Sequence, residues 1–232
     1  MIALAVSMYD EVDCMVKNLD RWGSAFSHIE LVQSGVDPYR SIEDRLSRHP
    51  KGVYTRFPNL DVRKNQDAKA ERLDVGARSM ARNFSCGFRG IAQNNNITYA
   101  VGITGDTELV HLDGICRIID RMGDRDIAVS RAMGQNFHAA HWTEEEMLDP
   151  HHKGEGRLQD HSNGDFMPQL FIAKAEIEGR LSSVKVTNRW CFEQCLGDSV
   201  LGTRKYVFSP TAYGFNDGIN YHHSSPKGWK HT

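Results

Sequence analysis

AVGITGDTELVHLDGI, residues 100–115, decides how this chain is read. An apolar, β-branched run ends at Gly105, two acids follow with one residue between them (Asp106 and Glu108), and helical spacing of apolar residues then resumes over 109–122. The first part reads as a buried strand whose carboxyl end carries two carboxylates. In open α/β sheets, ligands bind outside the carboxyl ends of the strands, where loops converge and helix N-termini point at the ligand. Two acids on such a turn can face one divalent cation, and hard oxygen ligands suit Mg²⁺ or Mn²⁺ shared with substrate phosphates. A structural reading stands beside it: Asp106 caps the following helix and Glu108 completes its first turn, where carboxylates favour the positive end of the dipole.

The rest of the first half frames that strand. IALAVS (2–7), HIELVQS (28–34), GVYTRF (52–57) and DIAVSRA (126–132) read as further strands. Between them, Val12, Met15, Val16 and Leu19 keep helical spacing, and SIEDRLSRH (41–49) opens with a capping-box pattern, Ser41 followed by Asp44. Residues 59–77 are polar and weakly patterned. From Arg78 to Gln93 a helix is predicted, with Met80, Phe84, Phe88 and Ile91 on one arc and Arg78, Arg82 and Arg89 on another. Strand–helix alternation through residue 132 predicts right-handed βαβ units and a mainly parallel central sheet, a Rossmann-like N-terminal half. Beyond it the rhythm loosens: 133–164 is a long excursion rich in His, Gly, Asp and Glu, DFMPQLFIAK (165–174) returns to apolar, NRWCFEQCL (188–196) reads helical and RKYVFSP (204–210) reads as a strand. With no repeat or clear linker, one domain over residues 1–232 is the simpler expectation.

Composition narrows the class. The 232 residues are 40% hydrophobic and 25% charged, ordinary for a water-soluble fold, and long enough to bury a sizeable core. A net charge of −2 gives no global field for nucleic acid or an anionic membrane surface, so no nucleic-acid partner is expected. Five scattered cysteines, with Cys191 and Cys195 four apart, match no zinc spacing and read as reduced thiols. The apolar start, MIALAVSMYDEVD, lacks a basic region and is too short for a signal or a span, so a cytoplasmic protein without a membrane span is expected.

DVGARSMARNFSCGFRGIAQNNNITYAVGITGDTEL resembles the nucleotide-sugar glycosyltransferases of the GT-A fold, over about 35 contiguous residues. Gly76, Ala81, Arg82, Asn83, Gly87, Ala92 and Asp106 match, and Glu108 stands for the second acid of that family's Asp-x-Asp motif. The resemblance implies a three-layer α/β/α fold, a nucleotide-diphosphate sugar donor, an acceptor hydroxyl on a carbohydrate or other molecule, and Mn²⁺ or Mg²⁺ held by Asp106 and Glu108, with Arg82 near the donor. It divides the chain into a nucleotide-sugar half, 1–132, and an acceptor and catalytic half, 133–232. VSMYDE resembles the family's opening strand and turn, which brings in Tyr9, with Asp10 where the family has Asn. The second strand ends LVQSGVD rather than in the family's acid-rich run; Gln33 then either hydrogen-bonds a base edge or is an ordinary polar strand end.

In the C-terminal half, transfer with inversion needs a base for the acceptor hydroxyl. LGDSVLGTR resembles the family's base segment with Gly for Glu, which makes Asp198 the expected base and Glu193 its reserve. The tail, YHHSSPKGWK, is similar to a signature of retaining members, and by that likeness His222 and His223 complete the metal's coordination, Lys227 contacts the diphosphate and Trp229 is a substrate-binding residue. The two likenesses point to opposite stereochemical outcomes; inversion is the reading adopted. The same resemblance implies that the long loop HHKGEGRLQDHSNGD lies where the acceptor binds, with Asp165 or His161 toward sugar or acceptor, whereas His138, His141, His151, His152 and Glu144 to Glu146 match no metal spacing. Two other functions compete. One is a nucleotidyltransferase forming sugar nucleotides, disfavoured because AVSMYDE lacks the glycine-rich loop that class carries after its first strand. The other is a non-catalytic sugar-nucleotide-binding or interaction domain.

Overall fold

Strand β1 (Ile2–Met8) is a continuous apolar run buried on both faces, as a strand inside a parallel sheet must be. The computed structural model describes residues 1–9, 11–34, 39–49, 51–57, 69–111, 113–130, 167–183, 203, 205–208, 213 and 215–216, and all that follows concerns these. After β1 come α1 (Val12–Trp22), β2 (His28–Ser34), α2 (Arg40–Ser47), β3 (Gly52–Phe57), α3 (Lys69–Ala92), β4 (Tyr99–Thr104), a two-residue β5 (Glu108–Leu109), α4 (Gly114–Met122) and β6 (Ile127–Ser130). Then follow β7 (Met167–Lys174), a single helical turn α5 (Glu178–Leu181), β8 (Lys205–Phe208) and β9 (Phe215–Asn216).

Seven strands form one sheet in the order β3-β2-β1-β4-β7-β6-β8, and β5 pairs with β9 apart from it. All neighbours run parallel except β7, which is antiparallel to both β4 and β6. The chain therefore winds outward from β1 to β3, returns, and restarts beside β1 on its other flank with β4. That reversal is a topological switch point, where open α/β sheets bind ligands in a crevice outside the carboxyl ends of the strands, here those of β1 and β4.

Alternation along the strands sorts the core into two faces. Ala3 and Ala5 of β1 meet Ala81, Phe84, Phe88 and Ile91 of α3, together with Ile177 and Leu181. Leu4, Val6 and Met8 face the other way, onto Met15 and Trp22 of α1, Ile42 and Leu46 of α2, and Ile115, Ile118 and Met122 of α4. Helices thus cover both faces, giving the three layers expected. Small residues bring α3 close: a methyl on Gly87 would sit 3.2 Å from Ala5 Cβ, and one on Gly90 would overlap the Glu30 carboxylate. Phe84 and Phe88 pack on Phe171 with ring centroids 5.4 and 5.6 Å away, and Gly102 is bare because that ring fills the space a side chain would need.

Glu30 is buried under α3 and bonded to His28 at 2.7 Å. Burial pushes its carboxyl above the ordinary glutamate range, against the downward pull of His28. A raised folded value favours the protonated form, so Glu30's contribution to stability is full below about pH 4, its unfolded value, and is lost as pH rises through the folded one. Glu30→Gln is accordingly expected to gain on the parent protein between acid and neutral pH in urea denaturation. A constant difference across that range would show that Glu30 titrates as it does in the unfolded chain.

Three local expectations are corrected. The predicted helix from Arg78 begins at Lys69, because the polar stretch ahead of it continues the helix. The helix predicted from residue 109 begins only at Gly114, since Glu108 and Leu109 are drawn into pairing with Asn216 and Phe215. Ser41 is no cap: α2 starts at Arg40, after an extended Tyr39 that makes no side-chain cap bond.

Candidate functional site

Register puts the ends of four parallel strands on one edge. Ser7 lies opposite Thr104, Met8 opposite Gln33, and Ser34 opposite Phe57. Just past β4 the chain turns at Gly105, whose N–H donates to the Ser7 carbonyl at 2.8 Å. A side chain at 105 would press on Met8 and Glu11, so the turn at the crevice is tight by composition.

Asp106 sits on that turn, 8% exposed, and its Oδ1 accepts the Thr104 hydroxyl at 2.5 Å. Thr104 Oγ1 is also 3.2 Å from Thr107 Oγ1. Because α4 begins at Gly114, beyond Asp113, Asp106 is not a helix cap and Glu108 is not in a first turn. Glu108 is 4% exposed, and Arg21 Nη1 of α1 donates to its Oε1 at 2.5 Å. The same helix grips the backbone beside it. Asn18 Nδ2 donates to the Thr107 carbonyl at 2.6 Å, while Asn18 Oδ1 accepts from Leu109 N at 3.3 Å and from Trp22 Nε1 at 3.0 Å. Glu11 joins from the start of α1, its Oε2 accepting Tyr9 N–H at 2.8 Å. Burial, then the negative charges of Asp106, Glu108 and Glu11, push the Cys14 thiol far up. Arg21 and Lys17 bring positive charge to the same place.

On the β2 side, Gln33 is fully buried and engaged at both ends. Its Nε2 donates to the Tyr9 carbonyl at 2.9 Å, and its Oε1 accepts the Tyr54 hydroxyl. Tyr9 is thus fixed at its N–H by Glu11 and at its carbonyl by Gln33. Asn83 of α3 accepts the Ser34 hydroxyl at 2.7 Å and donates to Ser7 Oγ at 3.2 Å, fastening the helix to the ends of β1 and β2. Its neighbour Arg82 is exposed, with its guanidinium 3.7 Å from the centroid of Phe57 at the end of β3. Tyr9, Gln33, Arg82 and Asp106 therefore lie at the carboxyl ends of β1 to β4, while Glu108 lies beyond the turn in β5, bonded to Arg21 of α1. Asp165, Glu193, Asp198, His222, His223, Lys227 and Trp229 lie outside the described residues, as do His138, His141, His151, His152, His161 and Glu144 to Glu146.

Asn18, Arg21 and Thr104 were not singled out in the sequence. Asn18 left a trace there, a polar residue on the same arc as Met15 and Trp22, which become the buried face of α1. Arg21 left none.

No family model matches the sequence, and no curated protein is similar enough to it to count as a relative. Solved structures share its fold. The mannosyltransferase PcManGT from Pyrobaculum calidifontis, solved in complex with GDP-Man and Mn²⁺, is similar with a TM-score of 0.53 at 12% identity, over 90% of this chain and 54% of that one. The chain has a GT-A-like fold. It spans about half the length of the mannosyltransferase, and at this identity the likeness is one of fold. Core-mannan synthase A from Aspergillus fumigatus in its Mn/GDP form (TM-score 0.48, 13% identity, 93% of this chain and 74% of that) is more distant. So is 4-diphosphocytidyl-2C-methyl-D-erythritol synthase from Anaerococcus prevotii (0.47, 8%, 94% and 93%). Among the described residues no helix of this GT-A-like chain is long and apolar enough to cross a membrane.

Proposed function

We propose that this chain is a metal-dependent glycosyltransferase that moves a sugar from a nucleotide-diphosphate sugar to an acceptor hydroxyl. One observation carries the reading: two buried carboxylates, Asp106 and Glu108, stand at the carboxyl end of β4 beside the switch point of a GT-A-like sheet. Burying acids away from any helix cap is costly unless they serve a cation or a proton.

The donor set fits a hard divalent ion. Asp106 and Glu108 offer carboxylate oxygens of the kind Mg²⁺ and Mn²⁺ take, in the number these ions usually draw from a protein when phosphates supply the rest. Among the described residues no group of three or more His, Cys, Asp or Glu side chains is arranged to hold an ion without such help. When bound, the ion supplies Lewis-acid stabilisation of charge on the departing nucleotide diphosphate. The chain's own residues do the rest. Gln33 and Glu11 fix the Tyr9 backbone beyond the end of β1, and the Arg82–Phe57 pair offers a flat cationic surface at the end of β3. In this reading His222 and His223 add ligands, Lys227 meets the diphosphate, Trp229 contacts the substrate, Asp165 meets sugar or acceptor, and Asp198, with Glu193 in reserve, takes the acceptor proton in an inverting transfer.

The test is a screen of UDP-, GDP- and TDP-sugars with Mn²⁺, reading thermal stabilisation and slow donor hydrolysis, which needs no acceptor. A donor that both stabilises the protein and is hydrolysed supports the reading. Stabilisation without hydrolysis or transfer turns it into a binding domain, and no response to any donor removes it.

A further inference from the structure

We infer that Arg21 is an internal counter-ion that occupies Glu108 in the metal-free protein and must withdraw before a divalent cation can use that carboxylate. The inference rests on the metal reading above and adds to it a residue that tunes the site's affinity.

The geometry sets the two partners apart. Glu108 has a side chain only 5% exposed, and a charge so buried must have a partner. Arg21 reaches it at 2.5 Å from 87 residues away, yet keeps half its own side chain (51%) in solvent. Arg21 lies one helical turn after Asn18, so the face of α1 that holds the Thr107 carbonyl and Leu109 N–H also delivers the guanidinium to Glu108. The backbone of the turn is held by Asn18, whether or not Arg21 is in place.

This division lets the pair open without unfolding the site. Arg21 returns to water by rotating a long side chain whose stem is already at the surface, and an exposed cation gives up little in doing so. Glu108 cannot move to water in the same way, so it exchanges one cation for another. Asp106 differs in that its Oδ1 takes a neutral hydroxyl, from Thr104. A divalent ion seated between the two acids would therefore compete with Arg21 for Glu108, and like charges would push the guanidinium outward. The affinity of the site for the ion is lowered by whatever is needed to release Arg21.

The test is direct titration of the protein with Mn²⁺ alone, reading free Mn²⁺ by its electron paramagnetic resonance signal. Arg21→Gln removes the competing charge and is expected to bind Mn²⁺ about tenfold more tightly than the parent protein, the equivalent of one exposed charge-assisted hydrogen bond. Arg21→Lys, which keeps the charge, is expected to remain near the parent value. Because Arg21 acts through Glu108, the gain should vanish when Arg21→Gln is made in a Glu108→Gln background. Melting temperatures of all five proteins (parent, Arg21→Gln, Arg21→Lys, Glu108→Gln and the double variant) report separately on folding. Unchanged or weaker Mn²⁺ binding in Arg21→Gln, or a gain that persists without Glu108, overturns the inference while leaving the metal reading in place. If none of the proteins binds Mn²⁺, the metal reading and the inference fall together.

Discussion

Asp106→Ala is expected to weaken Mn²⁺-dependent binding of a nucleotide-diphosphate sugar by about a hundredfold or more, with the melting temperature within a few degrees of the parent protein. The binding loss follows from removing one of two carboxylates at the crevice, since a hard cation held by a single protein oxygen loses both charge and geometry. The fold survives because little is left stranded. The Thr104 hydroxyl that met Asp106 still has Thr107 Oγ1 at 3.2 Å, so losing that bond costs about 1 kcal/mol and does not strand the hydroxyl. Calorimetry with Mn²⁺ and the donor identified by screening, alongside thermal unfolding, measures both quantities. Parent-like affinity in this variant would take Asp106 out of the donor site, and the sugar-transfer reading would go with it.

Asn18→Ala is expected to be the most damaging single change to stability near the site, about 3 kcal/mol, or a fall in melting temperature of about 10 °C. Asn18 is 1% exposed and spends both ends of its amide on groups that water cannot reach. The Thr107 carbonyl, the Leu109 N–H and the Trp22 indole N–H each lose a partner. Buried polar groups left unpaired cost more than the bonds they made contributed. The effect should extend to function, because the residues released on either side of Glu108 are those that set where its carboxylate lies. Urea denaturation checks the first part, and Mn²⁺ titration checks the second. A loss under about 1 kcal/mol would mean that the β5 turn is held mainly by its pairing with β9.

How much of this was legible in the sequence differs from element to element. β1 and β4 are almost wholly apolar, polar only toward their carboxyl ends at Ser7 and Thr104, because both faces of an interior parallel strand are covered, and a run of that kind declares itself without knowledge of its neighbours. The place of the two acids in the fold was legible for the same reason, since a strand that stops at a glycine followed by acids marks the edge where burial ends. The start of α4 was not. Leu109 fits a helical period, but a two-residue ladder with Phe215, from the far end of the chain, outweighs one more helical turn. Gln33 reads the same in sequence whether it faces a ligand or a tyrosine; only the approach of β3 puts the Tyr54 hydroxyl against it.

From the residues alone came the alternation of strand and helix through 132, the parallel character of the first sheet half, and the pair of acids at its carboxyl edge. These are local properties, written in periods of two and 3.6 residues and in glycine breaks. Tertiary structure alone decided that β7 enters antiparallel between β4 and β6, that Asn18 anchors the acid-bearing turn, and that Arg21 neutralises Glu108. Those outcomes depend on how α1 crosses the end of β4, which brings together side chains about ninety positions apart. No periodicity within either segment carries that distance.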